Sequence, residues 1–564
     1  MLILGIHSGW RDAGAALFDE YRPLAVVPLA RVSGIGHDGG RLPAEAVELC
    51  LEIAGALRSD VGGLALSHGV FPGRYFSGLP LKRRLGRGLG RLIGRDAPIS
   101  LAEECRRSGA AAAEAMLDAP GLLGDLGLNR HIPVRFHAAP AAQGLLPLFQ
   151  TDWQEALIFG ADSRTDGAAY SARILEGGRL ADLHGDEPAS AGPDPLGRLI
   201  ALAVEGLGLP DAEALFALAA YGEPILAQAL LAHVKLDDEG HIRTDFSREG
   251  GAAKWLRGLA EGHPPAFVAA SLQKMLQDAL GQAIERLLQR HEMSRLALGG
   301  DLFANPRLAH ALMMRHGAER IMLHPDAAEA GLLGGVLHFL LQRDGVDEWL
   351  RRRAPLPPIP SGRDYGADID PVLGNAGCRM VSQEPWPAAA ALLNIGRSVA
   401  FYGRQAFGAR GVPARLVLFS GAAAGMASEV CQRLNRPEAT MPLVLTPRRQ
   451  AAEVFRPPYA DRLPDSLAQA VAAPLAARWR ARLPAAMAPD FLCRPYPVDP
   501  DLEPQFSDLL EAYAAQSGLP ALLGLPIQVG RSAPLDAPAD ALRLLAENRV
   551  DYIVTEHAVW ERGE

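Results

Sequence analysis

The apolar and polar positions of this chain fall into two similar blocks. The first, "LILGIHSGWRDAGAALFDEYRPLAVV", reads as an apolar strand, a loop carrying Gly9 and Asp12, a second strand, a turn at "DEYRP" and a third strand. The second, "ALIFGADSRTDGAAYSARILEGGRLADL", repeats the order: an apolar strand, a loop with Asp162, Asp166 and Gly167, a strand, a Gly-Gly turn and a strand. Alternation of period two, bounded by turn residues, predicts hairpins in both blocks. Two such units in one region predict a duplicated α/β fold in which the two acidic loops face each other across a cleft. The plainer reading of each aspartate is a turn residue bonding its own backbone.

A helix follows. In "FVAASLQKMLQDALGQAIERLLQRH" (267–291), Val268, Leu272, Met275, Leu276, Leu280, Ile284, Leu287 and Leu288 recur at helical spacing, and Pro264 and Pro265 mark the start. The strand "RLALGG" then runs into Gly299–Gly300 and "DLFANPRLAHAL". Glycine at a strand end lets backbone approach a ligand closely. A Gly-Gly pair alone is an ordinary turn. Its place between the long helix and another strand–loop, "RIMLHPDAAEAGLLGG", raises the expectation of a nucleotide site. Farther on, "RRRAPLPPIPSGRDYGADIDP" (351–371) is rich in proline and polar residues with no apolar period, the pattern of a linker or strap. It divides the chain into an N-terminal region, 1–350, and a C-terminal region, 372–564.

Composition narrows the class. Over 564 residues, 49% are hydrophobic and 21% charged, ordinary values for a water-soluble globular protein, and the length predicts two to four domains. A net charge of −9 gives no global attraction to nucleic acid. The cysteines Cys50, Cys105, Cys378, Cys431 and Cys493 form no C-x-x-C, which argues for reduced thiols in a cytoplasmic setting and against a cysteine-built zinc site. "MLILGIHSGW" lacks the basic start and long apolar run of a signal peptide, and "AGLLGGVLHFLL" is too short for a membrane span. The Arg-rich "LKRRLGRGLGRLIGR" (81–95) reads as a solvated basic segment. In "FYGRQAFGARGVPAR", Arg404, Arg410 and Arg415 stand among glycines. Arginine forks and close backbone donors suit phosphate oxygens, whereas a surface loop would pair the same arginines with carboxylates.

Taken in order, several motifs resemble the ATP-dependent O-carbamoyltransferases of nodulation-factor and antibiotic biosynthesis. They are "LGIHSGWRDAGAALF", "LGRLIALAVEGLGLPDAEALFALAAYGEP", "LALGGDLFANPRL", "HPDAAEAGLLGG", "FYGRQAFGARGVPAR", "SGLPALLGLPIQV" and "LDAPADALRLLAENRVDYIV", and they span nearly the whole chain. The resemblance implies a duplicated actin/sugar-kinase-like, ribonuclease-H-like N-terminal domain and a smaller α/β C-terminal domain of the acyl-adenylate-forming kind. It implies that carbamoyl phosphate and ATP are joined as carbamoyl adenylate, whose carbamoyl group passes to a hydroxyl of a sugar or natural product, with Mg2+ and with Fe2+ as a further candidate metal. It also implies roles. His137 and Asp162 would be catalytic, and Asp12, Asp166, Gly299, Gly300 and Asn305 would bind nucleotide. Arg404, Arg410 and Arg415 would bind carbamoyl phosphate, and His137 and Glu329 would bind metal. Neither membrane nor nucleic acid is an expected partner.

The sequence also departs from that family. The H-x-x-x-H pair is incomplete: "NRHIPVRFHAAPAAQ" carries only His131 and His137, and a lone histidine there is more often packed than ligating. Glu329 stands where the family has a metal-binding aspartate, with Asp326 nearby. "RLNRPEATMPLVL" lacks the family's lysine and keeps Arg433 and Arg436, and "GLPIQ" (524–528) replaces a polar turn with residues whose side chains, up to Ile527, donate no hydrogen bond. Intact fold signals with altered chemistry leave a second expectation beside the transferase: a catalytically degenerate member that binds or regulates a biosynthetic enzyme.

Overall fold

The computed structural model describes residues 1–77, 98–101, 104–105, 113–162, 170–184, 196–244, 249–324, 330–363, 365, 368–402, 406–407, 415–456, 470–530, 532, 535 and 537–563. The first predicted block forms an antiparallel meander of β1 (Leu2–Ser8), β2 (Gly14–Asp19) and β3 (Arg22–Pro28). On its other edge β1 runs parallel to β4 (Val61–Pro72), whose far end folds against β5 (Pro98–Ser100), and β4 runs parallel to β6 (Val134–Phe136).

The second block repeats this order. β7 (Ala156–Ala161), β8 (Tyr170–Glu176) and β9 (Arg179–His184) form the meander. After a small hairpin of β10 (Val234–Leu236) and β11 (Ile242–Thr244), β12 (Leu296–Gly299) lies parallel to β7, and β13 (Ile321–Leu323) lies parallel to β12. One strand order used twice is the duplicated actin/sugar-kinase-like arrangement expected from the sequence.

Alternation explains why both sheets are covered on both faces. On β1, Ile3 points to the layer between the sheets, while Leu4 and Ile6 point outward to the helix Ala44–Ala54. On β7, Ala156 and Ile158 face the middle layer, and Leu157 and Phe159 face the long helix. Strands buried on both faces read as continuous apolar runs, as the first strand of each block does. The middle layer is filled by two helices, Ala139–Phe149, which is buried at every position, and Ala330–Asp344. The long helix is Pro265–Arg290, and seven of its eight apolar positions named above are buried, Leu288 being half-buried.

Among the described residues, nine strands of the C-terminal region form one mixed sheet: β15 (Arg379–Ser382), β16 (Val399–Tyr402), β18 (Arg415–Phe419), β19 (Leu443–Pro447), β20 (Ala473–Pro474), β21 (Leu492–Val498), β22 (Leu522–Pro526), β23 (Tyr552–Val554) and β24 (Val559–Glu561). Their spatial order is β15-β24-β23-β16-β18-β22-β19-β21-β20. Within 351–371, Leu356 and Ile359 are buried in the middle layer. β14 (Ile359–Pro360) pairs with β17 (Ala406–Phe407), while Arg31 donates to the Ser361 carbonyl at 2.6 Å and Arg363 pairs with Glu52. The segment is tied to both regions. Among the described residues no helix is long and apolar enough to cross a membrane.

A buried carboxyl gives this fold a pH signature. Glu503 is buried, accepts hydrogen bonds from the Tyr496 hydroxyl at 2.8 Å and the Asp499 N–H at 3.3 Å, and is pushed up to about 7, chiefly by desolvation. A carboxyl raised in the folded state contributes stability below its unfolded pKa, and that contribution is lost as pH rises through about 7. Urea unfolding of the wild type should therefore lose on the order of 2–3 kcal/mol between about pH 4.5 and about pH 8 from this group. Glu503→Gln should remove that component of the slope, and an unchanged slope would show that Glu503 is not its source.

Candidate functional site

β1 runs parallel to β4, and β7 to β12; residues at the carboxyl ends of β1, β7 and β12 line a cavity of about 310 Å3. In open α/β sheets this is where ligands bind, because strand-end loops converge there. The loop after β1 supplies Gly9, Trp10, Arg11 and Asp12; the end of β7 supplies Asp162; the turn after β12 supplies Asp301, Leu302, Ala304 and Asn305. Asp211, Glu213 and Phe216 form another part of the wall, and Met441 and Arg494 reach in from the C-terminal region. Asp12 and Asp162 thus line one cavity.

Asp162 is buried, and its Oδ1 accepts a hydrogen bond from the Asp301 backbone N–H at 2.8 Å, locking the β12 turn to the end of β7. Gly299 and Gly300 make that turn possible. A Cβ on Gly299 would clash with the Gln143 carbonyl, and one on Gly300, whose φ is +107°, would clash with the Ala161 carbonyl. Neither glycine is on the cavity wall. Their close approach is to protein backbone, and its effect is to place Asp301 and Asn305. Asn305 is buried and caps the helix Pro306–His316, accepting from the N–H groups of Arg307 and Leu308 at 3.1 and 3.2 Å, while its amide donates to Gln273 at 2.7 Å. Arg307 anchors the same helix to the C-terminal region through Asp490, with Nε to Oδ2 at 2.6 Å, and donates to the Phe216 carbonyl at 3.3 Å.

On the opposite lip, Asp12 accepts from His37 Nδ1 at 2.8 Å. Desolvation acts upward on the Asp12 carboxyl, and the His37 hydrogen bond with the neighbouring charges outweighs it, leaving Asp12 below its ordinary range. His37, Arg307 and Arg494 were not singled out in the sequence. His37 lies in "GIGHDGGR", which has no apolar period to anchor it, and the others reach the cavity only through long-range packing.

His137 sits elsewhere. It is buried, and its ring stacks on His338 with centroids 4.1 Å apart. His338 in turn lies 3.3 Å from Arg173, and burial, with His137 and Arg173 beside it, holds it well below the usual histidine value. Among the described residues no cluster of three ligating side chains gathers for a metal ion. Asp166, Glu329, Arg404 and Arg410 lie outside the described residues.

Arg415, on β18, is buried under Tyr365 and Tyr402, with its guanidinium carbon 5.5 and 5.8 Å from their ring centres and Nη2 donating to the Arg363 carbonyl at 3.4 Å. It is not on the wall of the cavity. In "GLPIQ", Leu525 and Ile527 are buried, and the Pro526 carbonyl accepts from Arg436 at 3.4 Å. Arg433 pairs with Asp551 at 3.2 Å.

Residues 390–562 match the family model described as carbamoyltransferase C-terminus. The chain is 24% identical over 572 residues to the nodulation protein NolNO of Sinorhizobium fredii (strain NBRC 101917 / NGR234), covering 96% of this chain and 78% of that protein. Among solved structures it is similar to component A of the (R)-2-hydroxyglutaryl-CoA dehydratase of Acidaminococcus fermentans (13% identity, 62% of this chain and 99% of that one, TM-score 0.32). It is also similar to the ROK hexokinase of Thermus thermophilus (17% identity, 60% and 98%, TM-score 0.29).

The turn after β12 yields a direct test of its packing role. Gly299→Ala forces a methyl against the Gln143 carbonyl, so the mutant should lose about 2–3 kcal/mol in urea unfolding. A neutral result would mean that β12 and the helix Ala139–Phe149 are not held as closely as described.

Proposed function

We propose that the chain is a carbamoyltransferase: it takes the carbamoyl group of carbamoyl phosphate, activates it with ATP as carbamoyl adenylate, and delivers it to a hydroxyl of a small sugar or natural-product acceptor at the cavity. The observation that carries this reading is the convergence of Asp12, Asp162 and Asn305 with Arg494 of the C-terminal region on one cavity, in a chain whose residues 390–562 match the carbamoyltransferase C-terminus. Each part of the wall has work suited to its chemistry. Phe216, Leu302 and Met441 offer apolar surface to a base, and Arg494 brings positive charge to phosphate oxygens. Asp162 fixes the backbone of the β12 turn rather than acting on substrate from a free position.

Nucleotide would lie on the side of Asp162, Asp301 and Asn305, with Asp166 at the same loop. Gly299 and Gly300 serve that side by shaping the turn. Arg404, Arg410 and Arg415 remain the proposed carbamoyl-phosphate group, with Arg415 held against the rings of Tyr365 and Tyr402. The described residues do not fit a resident metal: His137 is packed against His338, and the described part of the site gathers no ligand set, so no step is assigned to Mg2+ or Fe2+.

One observation favours a second reading. The "GLPIQ" segment turns Leu525 and Ile527 into the core, which supports a nucleotide-binding partner protein that does not form the adenylate. Pyrophosphate release from ATP, with and without carbamoyl phosphate, separates the two. The transferase reading predicts release that depends on carbamoyl phosphate. ATP binding without release would favour the partner reading, and neither binding nor release would remove both.

A further inference from the structure

We propose that His37, held by Asp12, takes the proton from the acceptor hydroxyl during transfer; this role rests on the carbamoyltransferase reading given above. The two residues meet where two loops are pressed into one lip. The Gly40 N–H donates to the Gly9 carbonyl at 2.7 Å, and the Ala13 N–H donates to the Asp38 carbonyl at 2.9 Å. A Cβ on Gly39 would lie 2.6 Å from the Arg11 nitrogen, so the loops touch backbone to backbone. Asp38 is gripped by Arg41 at 2.8 Å, and Arg41 by Glu45 at 2.8 Å, which ties the lip to the helix Ala44–Ala54.

Asp12 and His37 are both left-handed, with φ of 56° and 55°. The other described non-glycine residues in that region, among them Glu20, Glu292 and Phe491, are not on the cavity wall. Backbone strain persists where the surroundings over-determine it, and it concentrates at working sites. Here it places the two side chains against each other at 2.8 Å.

That contact selects a proton arrangement. A carboxylate accepts, so the neutral ring carries its proton on Nδ1 and presents Nε2 as a base. The other histidines near the cleft are worse placed. His137 is 2% exposed, stacked on His338 and absent from the wall; His7 is on the wall but 6% exposed, with Nδ1 against the Ser67 hydroxyl at 3.3 Å. The His37 side chain is 38% exposed and on the wall, so an incoming hydroxyl can reach it. Trp10, 42% exposed on the same lip, offers an aromatic face to a sugar ring.

The step balances. The acceptor hydroxyl gives its proton to His37 Nε2, and its oxygen bonds to the carbamoyl carbon of the mixed phosphoric anhydride. The bond from that carbon to the phosphate oxygen breaks, and AMP leaves with the electron pair. His37 then passes its proton to water at the mouth of the cavity.

The test supplies carbamoyl phosphate and ATP to the full chain and offers two probes: small alcohols (glycerol and trifluoroethanol) and hydroxylamine, which attacks activated carbamoyl groups without a base. His37→Gln should form alkyl carbamate at least about 100-fold more slowly than wild type, while hydroxyurea formation falls far less. His37→Ala should regain carbamate formation on adding imidazole, a rescue that a purely structural role would not give. His37→Asn, whose side chain tolerates the left-handed backbone, should show the same selective loss, and it stands in should His37→Gln fail to fold. Carbamate formation by His37→Gln at the wild-type rate overturns the assignment, as does a wild type that makes hydroxyurea but carbamoylates neither alcohol. A wild type that makes no hydroxyurea and releases no pyrophosphate overturns the transfer reading itself.

Discussion

The geometry of the cavity depends on how closely the turn after β12 approaches two other backbones. Gly299 meets the carbonyl of Gln143, and Gly300 meets that of Ala161, so any side chain there would push the strand away from the helix Ala139–Phe149 and from β7. Because the turn is held so near, the Asp301 N–H reaches Asp162, Asn305 reaches its helix, and Arg307 reaches Asp490. A sub-ångström constraint in the packing layer thus sets the position of several groups on the wall. It also explains how the C-terminal region becomes part of the site: the helix fixed by this turn is the one to which that region is docked, through Asp490 and through the Ala472 carbonyl to His310.

Much of the fold was legible because both meanders carry their own signal. β1 and β7 are apolar on both faces, their hairpins are marked by turn residues, and the long helix keeps a helical period. The duplication followed from those local patterns, and so did the meeting of Asp12 and Asp162, since like positions in like units fall on like ends of the sheets. The glycine pair stood out as a place of close backbone approach, and in the structure it approaches the carbonyls of Gln143 and Ala161.

What escaped was set by distance in sequence. His37 owes its position to a loop-on-loop contact through Gly39, and Arg494 and Met441 owe theirs to docking of a separate sheet. No spacing rule reports either. His137, expected from the resemblance to be catalytic and to bind metal, is buried and stacked on His338. At "GLPIQ", Leu525 and Ile527 are turned into the core of the C-terminal sheet. The segment 351–371, a linker or strap by composition, packs Leu356 and Ile359 into the middle layer.

The central claim is that one cavity, lined by Asp12, Asp162 and Arg494 of the C-terminal region, holds the nucleotide. A crystal structure of the full chain with a non-hydrolysable ATP analogue tests it most directly. The account predicts the analogue's phosphates against the turn that carries Asp301 and Asn305, within reach of Arg494. An analogue seated only in the C-terminal sheet, with the cavity between Asp12 and Asp162 left to solvent, would contradict it.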